Sequence, residues 1–158
     1  MRKTRVTIPF ATCPATLPIV SLYLANGEVW HAAIDSGSEC TVFNAEFVKK
    51  NAGDFAADNQ EVKTTLIGVA SETVVNVEKK LASVTIKDKD GAEVRMKMKG
   101  VSVDLSKLCD RFSESYGKQY NLQAIIGSDV MRDCKAIIDL GRMSIRIMVP
   151  VDIPAKTA

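Results

Sequence analysis

The fold is decided by residues 29–43, which read Val-Trp-His-Ala-Ala-Ile-Asp-Ser-Gly-Ser-Glu-Cys-Thr-Val-Phe. An apolar run ends at Ile34, and a polar loop of small residues begins at Asp35. Upstream, Asn26-Gly27 separates this run from another β-rich run, and such a pair favours a type I′ hairpin turn. The sequence therefore predicts a hairpin whose second strand stops at a carboxylate.

The remaining pattern predicts a mainly β protein. Residues 61–101 alternate between apolar and polar side chains around a turn at Asp90-Gly91, which indicates a second hairpin with one buried face. Further short strands are predicted at 41–43, 124–126, 136–140 and 143–149. The turn spacing is that of an all-β closed barrel or sandwich.

Two or three short helices complete the predicted fold. Asn44 is expected to cap a helix that reaches about Asn51, with Gly53 as its stop. Residues 104–117 carry apolar side chains on one helical face. Ser128 or Asp129 is expected to cap one or two further turns that reach Cys134.

Composition and charge limit the classes of partner and of catalytic residue that the chain can use. With 158 residues, of which 46% are hydrophobic and 25% charged, the chain is expected to form one globular domain over residues 1–158. The net charge is +2 and no basic run exceeds two residues, so neither nucleic acid nor a membrane is predicted as a partner. His31 is the only histidine. Carboxylates are therefore the expected agents of any hydrolysis.

Four cysteines, Cys13, Cys40, Cys109 and Cys134, include no Cys-x-x-Cys pair, so no zinc site is predicted. They are expected to be small buried apolar residues. In an exported protein, two disulfides in any of three pairings are left open.

The basic N-terminus, followed by the uncharged residues 6–27, superficially resembles a secretory signal. Pro9, Pro14 and Pro18 interrupt its apolar stretch, so neither a cleaved signal nor a membrane span is predicted. Cytoplasm is the default expectation, and export after the earlier removal of a leader is left open.

Two motifs together resemble a known family. Residues 34–38, Ile-Asp-Ser-Gly-Ser, resemble the catalytic loop of aspartic proteases, which is Asp-Thr/Ser-Gly-Ala/Ser between apolar residues. Residues 124–127, Ala-Ile-Ile-Gly, followed by a short helix and a closing strand, resemble the second motif of retroviral-type, or retropepsin-like, aspartic proteases. The likeness covers about residues 17–149, with 101–122 as a longer, helical insertion. It implies one lobe per chain, in which Ile126 and Gly127 pass behind the Asp35 loop.

The resemblance implies an aspartic endopeptidase acting on a peptide or protein substrate, without a cofactor. Metal-free hydrolysis needs one carboxylate to take a proton from water and a second, protonated one to polarise the carbonyl group. This chain has a single Asp-Ser-Gly, so a homodimer with Asp35 from each subunit is implied. The resemblance also implies a role for each neighbour of Asp35. The Ser36 hydroxyl donates a hydrogen bond to the other subunit, Gly37 permits the tight turn, and Ser38 forms a hydrogen bond near the carboxylates.

A cover over the substrate is also implied. Its position in this chain is residues 66–73, with Ile67, Gly68, Val69 and Ala70 as the substrate-binding flap. Viral flaps are richer in glycine, and viral members commonly have Arg where this chain has Ser128.

Two other readings stay open. The chain can be a non-catalytic or weakly active dimeric module that holds an extended peptide by β-addition on the same fold. It can also be a monomeric β-domain whose Asp-Ser-Gly is a structural turn. Outside the motif, we expect Asp129 to cap a helix, Asp139 to lie in a turn or at the surface, and His31 to be structural or at the surface.

Overall fold

The computed structural model describes residues 2–14, 17–67 and 72–151. Within them, the strands are β1 (Lys3–Pro9), β2 (Ile19–Tyr23), β3 (Val29–Ile34), β4 (Val42–Asn44), β5 (Phe55–Ile67), β6 (Glu72–Lys87), β7 (Glu93–Val103), β8 (Leu122–Ile126), β9 (Ile137–Asp139) and β10 (Ser144–Pro150). The helices are α1 (Ala45–Lys50), α2 (Ser106–Tyr116) and α3 (Ser128–Asp133), with a 3₁₀ turn at Ala52–Asp54. The predicted mainly β fold with short helices is confirmed.

Seven strands form one sheet in the order β2-β3-β8-β4-β7-β6-β5. Tyr23 of β2 also pairs with Thr85 of β6, which closes the sheet into a barrel. β8 runs parallel to β3 and antiparallel to β4, so it lies between two strands that follow each other in the chain. The β3–β4 connection, residues 35–41, therefore crosses the carboxyl end of β8.

The two predicted hairpins are present, but the turn of the first is not the predicted type I′ turn. In the first, the Gly27 N–H donates to the Leu24 carbonyl at 2.9 Å and the Leu24 N–H donates to the Glu28 carbonyl at 3.0 Å. Only Gly27, with φ of 87°, has positive φ in this loop. The connection is thus a three-residue loop that ends on a left-handed glycine, not a type I′ turn with two positive φ values. Gly91, with φ of 80°, ends the second loop in the same way.

Helix α1 begins where predicted, but Asn44 does not cap it with its side chain. The Asn44 side chain instead accepts the Leu105 N–H at 2.9 Å and donates to Gln123 Oε1 at 2.8 Å. Asn44 is buried, so both ends of its amide need partners, and distant residues supply them. The predicted stop, Gly53, lies in the 3₁₀ turn after the helix.

The barrel is filled by apolar side chains from alternate strand positions. Trp30 and Phe43 are fully buried. Trp30 packs 5.1 Å from Phe47 between ring centroids, and Phe43 packs 5.3 Å from Phe55. Each such side chain contributes roughly 1.5–3 kcal/mol by leaving water. This core holds the strands that flank β8 in fixed positions.

A second, three-stranded antiparallel sheet has the order β1-β10-β9. The predicted strands near 136–140 and 143–149 are present in it as β9 and β10. We predicted no strand over residues 3–9, which form β1 because β10 pairs with them, Lys3 with Pro150 and Pro9 with Ser144. Ile8 of β1 and Ile147 of β10 pack into the barrel core and so hold this sheet against it. No helix in the described part of the chain has the length and apolar character needed to cross a membrane.

Candidate active site

Main-chain hydrogen bonds fasten the loop of residues 35–41 to the end of β8. The Asp35 N–H donates to the Ile126 carbonyl at 3.0 Å, and the Ser128 N–H donates to the Ser38 carbonyl at 2.7 Å. Within the loop, the Ser38 N–H donates to the Asp35 carbonyl at 3.1 Å and closes a tight turn. The backbone of the sheet therefore sets the position of Asp35.

Gly127 allows the loop and the end of β8 to approach each other. A Cβ atom at this position would lie 2.6 Å from the Cys40 carbonyl oxygen and 2.7 Å from the Ser38 carbonyl oxygen. Both oxygens belong to the main chain, so they cannot turn away as a flexible side chain could. A residue with a side chain does not fit here unless the loop moves.

The Asp35 carboxylate is exposed at the top of this crossing. The Gly37 N–H donates to Asp35 Oδ1 at 2.9 Å, and a Cβ atom on Gly37 would lie 3.2 Å from the same oxygen. Glycine therefore leaves the carboxylate uncrowded while its N–H fixes one oxygen. Asp35 Oδ2 accepts no hydrogen bond within the described residues, so it is accessible to water or a ligand.

Thr41 and Asp129 join the end of the loop to α3. The Thr41 hydroxyl donates to Asp129 Oδ1 at 2.8 Å, and the Thr41 N–H donates to Oδ2 at 3.1 Å. The same hydroxyl accepts the Gly127 N–H at 3.0 Å. Sequence reasoning missed Thr41, although a fully buried threonine directly after a polar loop is a residue that needs such partners.

Asp129 makes no side-chain capping bond of the predicted kind at the start of α3, where Gly127 occupies the cap position. Its Oδ1 accepts the adjacent Val130 N–H at 2.8 Å, and both oxygens bind Thr41. Both carboxylate oxygens therefore accept hydrogen bonds. The prediction of a structural role is right, but the partner is the loop rather than the helix end.

The serines of the motif differ in their contacts. We expected Ser38 to hydrogen-bond near the carboxylates, but its hydroxyl donates to the Cys40 carbonyl at 2.8 Å and so stabilises the loop itself. Ser36 is exposed, and its hydroxyl makes no hydrogen bond within the described part of the chain. The Ser36 hydroxyl therefore stays available beside Asp35.

An apolar row lies on the outer face of the barrel next to this carboxylate. Asp35 follows Ala33 by two positions, so the two side chains point to the same side. Ala33 pairs with Ile125, Ile125 with Val42, and Val42 with Val101. Ile125 is half-buried, whereas Val42 and Val101 are buried in a small cluster outside the barrel core. Ala33 is also buried, so Ile125 is the member of the row that is accessible to a bound chain.

The predicted flap falls on the hairpin of β5 and β6. Ile67 is the last residue of β5 and pairs with Glu72, the first residue of β6. Gly68, Val69 and Ala70 lie outside the described residues, so the flap stays a prediction.

An apolar cluster anchors helix α2 beside the barrel, and a hydrogen bond to His31 holds the segment that follows it. Phe112 packs into a cluster with Ile19, Ala33 and Leu122. His31 is buried, and its Nδ1 accepts the Asn121 N–H at 3.0 Å. Burial lowers the pKa of His31. His31 is therefore structural, as predicted, and supports the segment that follows α2.

The other candidate groups have ordinary roles. Asp139 accepts the Arg142 N–H at 3.0 Å in a surface turn, as predicted.

Within the described residues, no three or more His, Cys, Asp or Glu side chains are grouped so that they could hold a metal ion. Cys109 and Cys134 are buried as expected, whereas Cys13 and Cys40 are only half-buried. Burial raises the pKa of Cys40, and the charges of Asp129 and Glu39 raise it further.

No protein-family model matches this chain, and no curated protein matches it. Solved structures do. A retropepsin-like aspartic protease from Rickettsia conorii is 14% identical, with a TM-score of 0.52 over 95% of this chain and 96% of that one. The retroviral protease-like domain of Ddi1 from Leishmania major is 15% identical, with a TM-score of 0.47 over 91% and 99% of the two chains. EIAV protease in complex with the inhibitor HBY-793 is 18% identical, with a TM-score of 0.39 over 78% and 92%. The Rickettsia structure confirms the predicted retropepsin-like fold.

Proposed function

We propose that this chain is one subunit of a homodimeric aspartic endopeptidase and that Asp35 is its catalytic carboxylate. The supporting observation is the position of that side chain. Asp35 is exposed where the two motifs cross, with its N–H bound to the Ile126 carbonyl, Oδ1 held by the Gly37 N–H and Oδ2 accessible. The bond to Gly37 alone is ordinary turn geometry, as the Asp104 bond to the Ser106 N–H shows, so the proposal depends on the crossing of the two motifs.

The chemistry requires a second copy of the chain. Attack of water on a peptide carbonyl needs a carboxylate that takes the water proton and a carboxylic acid that protonates the carbonyl oxygen. Asp129 and Asp139 accept hydrogen bonds from other groups, and within the described residues no carboxyl group is hydrogen-bonded to the Asp35 side chain. A two-fold axis through the Asp35 loops would bring together two identical carboxylates, which share one proton because like charges at contact cannot both ionise.

The reaction is balanced by proton transfers between this pair and the substrate. Water adds to the carbonyl carbon while one Asp35 takes its proton and the other gives its proton to the carbonyl oxygen. The diol then collapses: the Asp35 that took the water proton gives it to the peptide nitrogen, the other Asp35 takes a proton from a diol hydroxyl, and the C–N bond breaks to release an amine and a carboxylic acid. The two acids then hold one proton again, so the dyad is regenerated without a cofactor.

The residues around Asp35 have matching roles in this proposal. The hydroxyl of Ser36, which has no partner in its own described chain, would donate to the second subunit and hold the two loops together. Ile125, the accessible member of the apolar row, would contact an apolar side chain of an extended substrate. Residues 67–70 would cover the substrate and exclude water from the reacting bond. The family-like core would span residues 17–149, with residues 101–122 as the helical insertion.

The test is cleavage by the full chain and by two matched variants, Asp35→Asn and Asp110→Asn. Asp110 is an exposed aspartate on α2, so its substitution makes the same chemical change outside the site. Digestion of a denatured protein mixture, from about pH 4 to about pH 7 to span carboxylate titration, would be followed by mass spectrometry. We expect cleavage by the wild type and Asp110→Asn but not by Asp35→Asn, with all three dimeric in sedimentation.

Cleavage by Asp35→Asn would contradict the assignment. Binding of peptides by a dimer with no cleavage at any pH would favour the non-catalytic peptide-binding module instead. A protein that is monomeric yet active at the assay concentration would contradict the shared dyad.

A further inference from the structure

A row of cations runs along the outer face of β7. Arg95, Lys97 and Lys99 are exposed and alternate with Met96 and Met98, which point toward the core. Successive strand side chains point to opposite faces, so the three cations share one face. We predicted no nucleic-acid or membrane partner because no basic run exceeds two residues. A search for consecutive basic residues does not detect a row of cations that lie on one face of a strand, because an apolar residue stands between each pair in the sequence.

These charges are uncompensated by the protein. Within the described residues, none of Arg95, Lys97 and Lys99 lies within 4 Å of a carboxylate, since the ion pairs there are formed by other lysines and arginines. Their cross-strand neighbours on β6 are the uncharged Thr85, Ser83 and Leu81. Like charges on one face repel one another. The acid on this face of β7 is Glu93, two positions before Arg95, and it lies at the end of the row rather than between the cations.

The row lines a broad open groove of about 1270 Å³. Lys87 extends it, with its ammonium 4.5 Å from the centre of the Tyr23 ring. Lys3 of β1 adds a further cation, and the carboxylates that line the same groove are Asp54, Glu93 and Asp133. Cations therefore outnumber acids in the groove.

We propose that this row docks an acidic segment of another polypeptide in an extended conformation. Alternate side chains of an extended chain recur about every 6.6–6.8 Å, which is the spacing between Arg95, Lys97 and Lys99 along β7. β7 pairs with β6 along the whole row but with β4 only over residues 101–103, so one edge of the strand has no strand neighbour beside Arg95, Lys97 and Lys99 within the described residues. Main-chain groups on that edge can add to the hold that the cationic side chains have on the partner. The complementary side chains are carboxylates.

A polynucleotide fits the groove less well. Single-stranded nucleic acid is held by cations together with aromatic rings on which bases stack. The aromatic ring in this groove, that of Tyr23, is engaged by Lys87.

The row ends near the strand that follows the Asp35 loop. Lys99 lies two positions before Val101 on the same face of β7, and Val101 pairs with Val42 of β4. The docking itself does not depend on catalysis.

The test is binding by the full chain carrying Asp35→Asn, so that no cleavage can occur. The probe is a fluorescein-labelled peptide of alternating Glu and Thr, followed by anisotropy. The triple variant Arg95→Gln, Lys97→Gln, Lys99→Gln is compared with the control Lys50→Gln, Arg111→Gln, Lys118→Gln, which removes three exposed cations elsewhere. Exposed ion pairs are individually weak, so we expect the row variant to lose affinity roughly tenfold and the control less than about twofold. Salt should weaken binding by the unsubstituted row.

A charge reversal separates docking from damage to the fold. Arg95→Glu, Lys97→Glu, Lys99→Glu should bind a Lys-Thr peptide more tightly than the Glu-Thr peptide. Equal losses in the row and control variants, or failure of the reversal to switch preference, would overturn the proposal. Tighter binding of oligodeoxythymidine than of the acidic peptide, abolished by the row variant, would overturn it in favour of a nucleic-acid surface.

Discussion

Thr41 and Asp129, 88 positions apart in the chain, are joined by two hydrogen bonds of 2.8 and 3.1 Å. Because the Thr41 hydroxyl also accepts the Gly127 N–H at 3.0 Å, one side chain links the Asp-Ser-Gly loop to both β8 and α3. The geometry of Asp35 therefore depends on a contact that lies outside the motif itself.

Replacement of Thr41 by Val should weaken the protein. Valine keeps the shape but removes the hydroxyl, which leaves the Gly127 N–H and one Asp129 oxygen short of a partner. We expect the free energy of unfolding in urea to fall by about 1–3 kcal/mol. Thr41→Ser keeps the hydroxyl and should lose less. Equal losses in the two variants would show that packing, not hydrogen bonding, holds Thr41.

Replacement of Gly127 by Ala should displace the catalytic loop, because the new Cβ would meet the Cys40 carbonyl oxygen at 2.6 Å. We expect a loss of about 1–3 kcal/mol in unfolding free energy, together with amide NMR shift changes over residues 35–41. The control is Gly53→Ala, at a glycine with nothing within 4 Å of the added Cβ. It should be neutral or slightly stabilising. Similar behaviour of the two variants would contradict the close approach.

His31 should make the protein less stable in acid. Its pKa is lowered from 6.5 by burial, so the unfolded chain binds a proton more readily than the folded one. The stability that neutral His31 contributes is present above pH 6.5 and is lost as the pH falls below that value toward the folded-state pKa. Protonation at Nδ1 would also break the bond from the Asn121 N–H.

The variant His31→Asn tests this directly, because its amide oxygen can accept the Asn121 N–H but does not titrate. We expect the difference in unfolding free energy between about pH 7.5 and about pH 5 to be smaller in the variant. If the unfolding free energy falls by the same amount between the two pH values in the variant and the wild type, groups other than His31 cause the loss of stability in acid.

Cys109 and Cys134 should be unreactive in the folded protein. Burial raises the pKa of Cys109 to about 11 and also raises that of Cys134, so the reactive thiolate is scarce at neutral pH. Titration with a disulfide reagent should modify these two cysteines only as fast as the protein unfolds. Prompt modification of either, mapped by mass spectrometry, would contradict the burial.

The sequence was most informative where structure depends on neighbours in the chain. The strand that ends at Ile34, the turn glycines Gly27 and Gly91 and the amphipathic helix α2 all follow from local pattern. Gly127 was placed behind the Asp35 loop by resemblance, and its surroundings leave no room for a side chain.

What could not be predicted depends on residues that meet only in three dimensions. The local sequence predicts Asn44 as a helix cap, but its side-chain amide is hydrogen-bonded to Gln123 and to the Leu105 N–H. The local sequence also predicts Asp129 as a cap, but its carboxylate accepts a hydrogen bond from the Thr41 hydroxyl. Strand β1 forms because β10, at the other end of the chain, pairs with it. In each case a distant partner outweighs a weak local preference.

The central claim, that two copies of Asp35 form one active site, is tested most directly by mixing subunits. Wild-type and Asp35→Asn chains would be unfolded together in equal amounts, refolded, and assayed for cleavage at fixed total chain concentration. Random pairing makes about one quarter of the dimers wild type in both subunits, so the account predicts about one quarter of the wild-type activity. An activity of about one half would mean that each chain carries a complete site, and would contradict the shared dyad.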